Sequence, residues 1–291
     1  MKVTRLPDVE RGAPRSVAVG TFDGVHLGHR EVIAGSDSVL TFDPHPVSVV
    51  APQHTPKLLT TPERKAELIA SLGVQEMIVI PFDADFAQRT AEQFIEEVLV
   101  ESLGATQVSV GENFRFGNRA KGDPALLEAD ERFRTVVHPM FELDGEIVSS
   151  SHIRGLLQAG DVAEANRMLG STFRISGTVA HGDERGRQLG FPTANLVPEE
   201  ALAYPGHGVY ACLADGRPSA VSIGVRPTFD TGRGELIEAY ILDFDGDLYG
   251  QTLTLEFIER LRGERRFDSA EALQEQMRAD VERTREIAAG V

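Results

Sequence analysis

The sequence predicts two domains of different class: an α/β domain with a parallel sheet over residues 1–170, and an antiparallel β-barrel with one long helix over residues 171–291. Three observations lead there. A chain of 291 residues exceeds what one ordinary core serves. Its first 170 residues alternate short apolar runs with helical patterns, which argues a parallel sheet with helices on both faces. After Gly170 strand-like runs follow one another through Gly-, Pro- and Asp-rich links, which argues a closed antiparallel sheet.

The strands expected in the first half are Ser16–Val19, Val39–Phe42, Met77–Pro81, Gln107–Val110 and Thr135–His138. The helices between them have legible ends. Thr61 caps a helix that starts at Pro62 and stops at Gly73. Thr90 and Gln93 form a capping box on a helix that stops at Gly104, and Asp161 opens a short helix closed by Gly170. In the second half, Arg174–His181, Val209–Ala214, Ala220–Ile223, Ile237–Phe244 and Leu253–Ile258 read as strands. Asp245-Gly246 between the last two reads as a hairpin turn. The final helix begins at Asp268 or Ser269, with Leu273, Met277 and Val281 on one face.

Composition narrows the function. A net charge of −16 argues against nucleic acid as the partner, because phosphate backbones are held by basic patches. It leaves room for a small anion, for which a helix N-terminus and a few donors suffice. No stretch has the roughly 18 to 20 apolar residues of a membrane span. The polar segment Met1–Arg15 does not read as a secretory signal, and the lone Cys212, expected in the barrel core, fits a reducing compartment. The expectation is a cytoplasmic protein acting on small molecules, as a monomer or weak homo-oligomer.

Two regions carry chemistry. The run from Gly20 to His29, with Phe22, Gly24, His26 and Gly28, follows the first strand and opens the first helix. Histidines three apart project from one side of a helical turn, and glycines let a phosphate approach backbone N–H groups. The pair could stabilise charge on a leaving pyrophosphate. The same run would also serve as a plain helix start with two surface histidines. A zinc site lacks a third ligand at recognisable spacing. Thr41–Pro46, Gly111–Gly117 and Val148–Arg154 end or follow later elements and place hydroxyls and a cation along the same sheet edge. Each also reads as a turn, an aromatic core edge or an N-cap. Only Arg30–Ser38 separate His29 from the second strand, so the first helix is cut to about two turns before Gly35-Ser36-Asp37.

The second region is Gly177–Leu196: a strand, a loop with Gly182, Gly186 and Gly190, and a second strand. Such a loop can wrap a triphosphate with backbone N–H groups, or be an ordinary hairpin. It is not a Walker loop, since no Gly-Lys-Ser/Thr follows. Thr193 and Asn195 alternate onto one face and offer hard oxygens suited to Mg2+ shared with phosphates. Glu238, Glu235 and Asp243 are carboxylates that could accept a proton from a hydroxyl.

The motifs of residues 16 to 154 resemble, in order, those of the FMN adenylyltransferase domain of prokaryotic bifunctional FAD synthetases, a nucleotidylyltransferase-like, Rossmann-type domain. The resemblance implies that Phe22, His26 and His29 meet ATP and its phosphates. It further implies that Asn113 and Arg115 line the flavin pocket, and that Ser150, Ser151 and Arg154 form a second phosphate clamp. Ser151 stands where the family usually has Thr. Leu189–Leu196, with Gly208–Ala211, Ile223–Phe229 and Ile237–Asp243, resembles the riboflavin kinases across about residues 172 to 285. That implies a six-stranded barrel transferring the γ-phosphate of ATP to the ribityl hydroxyl of riboflavin, with Glu238 as general base. Ser222 stands where many members have Asn. Arg262, Phe267 and Met277 either cover the flavin or dock the last helix. The expected activity is riboflavin to FMN to FAD with ATP and Mg2+. The short segment after His29 keeps open an alternative, a riboflavin kinase alone with a degenerate first domain.

Overall fold

The structure is a computed structural model that describes residues 1–11, 13–181, 190–225 and 235–290. The chain divides into two compact units, Met1–Ser150 and Ser151–Val291.

In the first unit six parallel strands form one sheet. They are β1 (Lys2–Arg5), β2 (Arg15–Val19), β3 (Ser38–Asp43), β4 (Glu76–Pro81), β5 (Ala105–Gly111) and β6 (Arg134–His138), in spatial order β1-β4-β3-β2-β5-β6. Strand order reverses at β2, which lies between β3 and β5. Ligands of open α/β sheets bind at such a reversal, outside the carboxyl ends of the strands. The expected strands are all present, each extended by a residue or so. Edge strand β1 was not expected, because a four-residue run with one apolar side chain gives no period.

Alternation along the strands sorts side chains onto two faces. Ala18, Val39 and Met77 pack under α1 (Leu27–Ile33) and α3 (Pro62–Ser71). Val17, Leu40, Ile78 and Val108 pack on the other face, against the helix that starts as α4 (Ala91–Gln93) and continues as a π-helix over Phe94–Ser102. Thr61 accepts from the Arg64 N–H at the start of α3, and the Thr90/Gln93 capping box is formed. Two shorter helices, α2 (Pro46–Val50) and α5 (Pro124–Glu128), and a small hairpin of β7 (Glu142–Leu143) and β8 (Glu146–Ile147) complete the unit. Helix α1 has seven residues, the two turns the short crossover requires.

The second unit opens with α6 (Ser150–Ala159), whose first residue belongs to the first unit, and α7 (Val162–Leu169), capped by Asp161 and ended by Gly170. A closed barrel follows: β9 (Phe173–Ala180), β10 (Ala194–Pro198), β11 (Gly208–Ala214), β12 (Arg217–Val225), β13 (Glu235–Ile241) and β14 (Thr252–Arg262), in spatial order β10-β13-β12-β11-β14-β9. Pairing of β9 with β10 closes it, so no edge is left. The expected hairpin at Asp245-Gly246 is not formed. Strands β13 and β14 are not neighbours, and residues 242–251 cross to the far side of the order. The two-residue hairpin is instead Asp215-Gly216, both at positive φ, between Ala214 and its partner Arg217.

The last helix, α8 (Ala270–Ala288), is capped by Ser269 and packs on β11, β12 and β14. Leu273, Met277 and Val281 share its partly buried face, but its most buried residues are Asp280 and Thr284. The Asp280 carboxylate accepts both arms of the Arg262 guanidinium, at 2.8 to 3.1 Å, and the Gln276 amide at 2.9 Å. Among the described residues no helix is long and apolar enough to cross a membrane.

Two predictions follow from the packing. Gly117 has φ +72°, and a Cβ there would lie 2.6 Å from the backbone nitrogen of Ala91. Gly117→Ala therefore costs about 1–3 kcal/mol or more, read as a lowered unfolding midpoint of the first unit. Asp280→Ala strands the Arg262 charge and costs about 3–5 kcal/mol, read as faster amide exchange in α8.

Candidate functional sites

The first site grows from the end of β2. Between Val19 and α1 the chain makes a tight turn in which Phe22 (φ 49°), Gly24 (φ 88°) and Val25 (φ 44°) all lie in the left-handed region. For an aromatic and a β-branched residue that is strain, held only where the surroundings over-determine it. The surroundings do so here. The Asp23 carboxylate, 2% exposed, accepts the Leu59 and Thr60 N–H groups. The Thr60 hydroxyl accepts the Gly24 N–H, and the Ser150 hydroxyl donates to the Asp23 carbonyl at 2.9 Å. The Thr21 carbonyl accepts both the Thr41 hydroxyl at 3.0 Å and the Lys65 ammonium at 2.8 Å.

This turn fixes the two histidines. His26 is the N-cap of α1 rather than a residue within it; its Nδ1 accepts the His29 N–H, which leaves its proton on Nε2. The two rings stack with centroids 3.5 Å apart, and His29 meets the Phe22 ring edge-on. The His29 Nδ1 is buried without a hydrogen-bond partner, and burial pushes the imidazole well below its ordinary pKa, helped by His26 and Lys65. A buried ring nitrogen with no protein partner is what a bound phosphate oxygen would satisfy. A pocket of about 350 Å³ has Phe42, Asp43, His45, Thr60 and Lys65 in its wall, and neither His26 nor His29 lines it.

The turn after β5 lies on the same sheet edge. Gly111 has no side chain because the Asn113 carboxamide folds over it, 3.2 Å from where a Cβ would stand. Asn113 is exposed. The Arg115 guanidinium bonds the Phe114 carbonyl at 2.7 Å, and Phe114 stacks on Phe116. The structure thus brings Phe22, His26, His29 and Ser150 together around one turn and puts Asn113 and Arg115 at the carboxyl end of the neighbouring strand. Ser151 and Arg154 sit on α6, in the second unit. Lys65, Asp23 and Thr60 were missed by sequence reasoning, since nothing in a helical pattern marks which lysine turns inward.

The second site lies on the barrel. Asn195 on β10 is directly opposite Glu238 on β13, and Glu238 is directly opposite Ser222 on β12. Directly paired residues share a face, so Asn195, Glu238 and Ser222 form one row across three strands. Their neighbours Leu196 and Ile237 pair on the opposite, buried face. The Thr193 hydroxyl lies 3.5 Å from the Glu238 carboxylate. Asn195 is 7% exposed, and Phe191 meets Tyr240 edge-on beside it. These hydroxyl, carboxamide and carboxylate oxygens are the hard donor set a Mg2+ shared with phosphates takes. Among the described residues no group of three or more His, Cys, Asp and Glu could hold a metal.

Gly190 is a turn residue at φ 85°; Gly182, Gly186 and Arg226–Phe229 lie outside the described residues. Asp243 is drawn away: it is exposed and paired with Arg285 on α8 at 2.7 Å, which holds its carboxyl below the usual range. Arg262 is engaged by Asp280 and lies 5.7 Å from the Phe267 ring centre, with Met277 on the same helix as Asp280. Cys212 is fully buried in the barrel, and burial pushes its thiol well up.

Comparison with known proteins finds two families in tandem along the chain. A family model described as FAD synthetase matches residues 9–152, and one described as riboflavin kinase matches residues 169–288. The bifunctional riboflavin kinase/FMN adenylyltransferase of Bacillus subtilis is 37% identical, over 93% of this chain and 92% of its own length. The protein of that description from Escherichia coli K12 is 36% identical, over 91% and 90%. A crystal structure described as a macrolide-efflux protein from Streptococcus pneumoniae superposes with a TM-score of 0.88 at 30% identity, covering 98% of this chain and 99% of that one. With two family models in tandem and full-length relatives at this identity, the chain belongs to the bifunctional riboflavin kinase/FMN adenylyltransferase family.

Proposed function

We propose that the two halves act in succession on one flavin, with residues 171–291 phosphorylating riboflavin to FMN and residues 1–170, including the Ser150–Arg154 segment, adenylylating FMN to FAD. The alternative of a kinase with a degenerate first domain is not favoured: the FAD synthetase match runs through residues 9–152, and the shortened α1 still presents His26 and His29 together.

The kinase assignment is carried by the register that sets Asn195 against Glu238, with Thr193 beside them. Glu238 accepts the proton of the ribityl hydroxyl as its oxygen bonds to the γ-phosphorus; the bond from that phosphorus to the bridging oxygen breaks and ADP leaves. Thr193 and Asn195 would hold Mg2+, which would neutralise phosphate charge when bound. Gly182, Gly186 and Gly190 are the glycines assigned to the phosphates of ATP. Arg262, Phe267 and Met277 border the flavin, the first of them through its tie to α8.

The adenylylation assignment is carried by the partnerless Nδ1 of His29 beside a strained turn at the strand-order reversal. An oxygen of the FMN phosphate bonds to the α-phosphorus of ATP, the α–β bridging bond breaks, and pyrophosphate leaves. The nucleophile is already an anion, so no base is needed. His26, His29 and the turn backbone, with Phe22, position ATP and stabilise the departing charge. Ser150, Ser151 and Arg154 grip its phosphates, and Asn113 and Arg115 border the flavin. The chain works in the cytoplasm, as a monomer or weak homo-oligomer.

Glu238→Gln is expected to lower kcat for FMN formation by about 10²–10⁴ while FAD formation from added FMN stays unchanged. His29→Ala should do the reverse, slowing FAD formation roughly a hundredfold or more and sparing FMN formation. Both rates are read by chromatography of the flavins. Removing Mg2+ with a chelator stops both reactions, and adding it back restores them.

A further inference from the structure

We infer that Lys65 is a positioning residue for adenylyl transfer, a half-buried cation beside the phosphate-binding turn that fixes the turn and biases His29. The proposal rests on the assignment of that reaction to the Gly20–His29 turn.

Lys65 projects from α3, the helix that packs over the β2–β3–β4 face, is half-buried there and lines the pocket beside it. Its ammonium donates at 2.8 Å to the carbonyl of Thr21, the residue before the strained Phe22. The Thr41 hydroxyl reaches the same carbonyl from β3. One oxygen is therefore clamped from two elements, and the peptide plane that begins the turn is locked. A turn with three of four consecutive residues at positive φ relaxes unless its ends are pinned. The far end is pinned by Asp23 on the Leu59 and Thr60 amides and by Ser150 on the Asp23 carbonyl. Lys65 supplies the near end, and it is the contact there that carries charge.

The charge has a second effect. The groups that face it are the Asp23 carboxylate in the turn and the Asp43 carboxylate at the end of β3, which favour the ammonium, while burial opposes it. The groups that face His29 are the stacked His26 ring and Lys65. A cation near the buried His29 imidazole disfavours protonating it in the free enzyme. An apolar substitution would loosen the turn and make it easier for a proton to settle on His29.

The experiment compares Lys65→Met, Lys65→Gln, Lys65→Arg and His29→Ala in the full-length chain, measuring FAD formation from FMN and ATP across pH, with FMN formation from riboflavin as the internal reference. Lys65→Met is expected to lower kcat for FAD formation roughly ten- to hundredfold, with FMN formation unchanged. Lys65→Gln keeps a donor for the Thr21 carbonyl but not the charge. It should keep more of the rate than Lys65→Met, yet share its shift: the limb of the pH profile set by His29 moves to higher pH, because loss of the cation raises the imidazole pKa. Lys65→Arg should keep both the rate and the limb. Loss of rate in all three variants with an unmoved limb would overturn the proposal in favour of a packing role. Wild-type rate and limb in Lys65→Met, with His29→Ala inactive, would overturn it outright. If His29→Ala also made FAD at the wild-type rate, the site assignment beneath the proposal would fall, a result distinct from the other two.

Discussion

Pairing of β10 on both of its edges is the constraint on which the kinase half depends. Strand β9 holds one edge and β13 the other, so the barrel is closed through the strand that carries Asn195. Closure leaves no freedom to slip by a residue, since a slip of one would move Leu196 out of the core and Asn195 into it. The same register aligns Glu238 with Asn195 and Ser222 with Glu238. The hydrophobic core thereby sets the geometry of the polar row on its other face.

The α/β half solves the same problem differently. A triphosphate needs converging donors and room close to the backbone, and a turn outside a parallel sheet provides both. Here the turn is forced into conformations that Phe22 and Val25 would not choose, and Asp23, Thr60, Lys65 and Ser150 hold it there from behind. Beside that turn the His29 Nδ1 is buried with a ring nitrogen that the protein itself does not satisfy.

Much of this was legible from residues alone, and the limits have physical reasons. Caps at Thr61, Thr90 and Asp161 are local chemistry, so the helices they start were found. The short α1 followed from chain length between His29 and β3. Asp245-Gly246 misled because turn chemistry says where a chain can reverse, not which strands it joins; Asp215-Gly216 has the same chemistry and does join neighbours. The row Asn195–Glu238–Ser222 spans strands distant in sequence, so only pairing reveals it, and Ser222 gained a place beside Glu238 that no local pattern gave. Spacing suggested that His26 and His29 share a side, but the stacking arises from His26 acting as the cap of α1. Arg262 could dock the helix or border the flavin on sequence grounds; the buried Asp280 ties it to α8.

Two ATP-handling sites on one chain, working in order on the same flavin, are the centre of this account. The most direct measurement supplies the wild-type chain with riboflavin, ATP and Mg2+ and follows flavins, ADP and pyrophosphate together over time. FMN should rise first, FAD should follow, and each FAD should be accompanied by one ADP and one pyrophosphate. Accumulation of FMN with ADP and no pyrophosphate, even when FMN is added directly, would contradict the account.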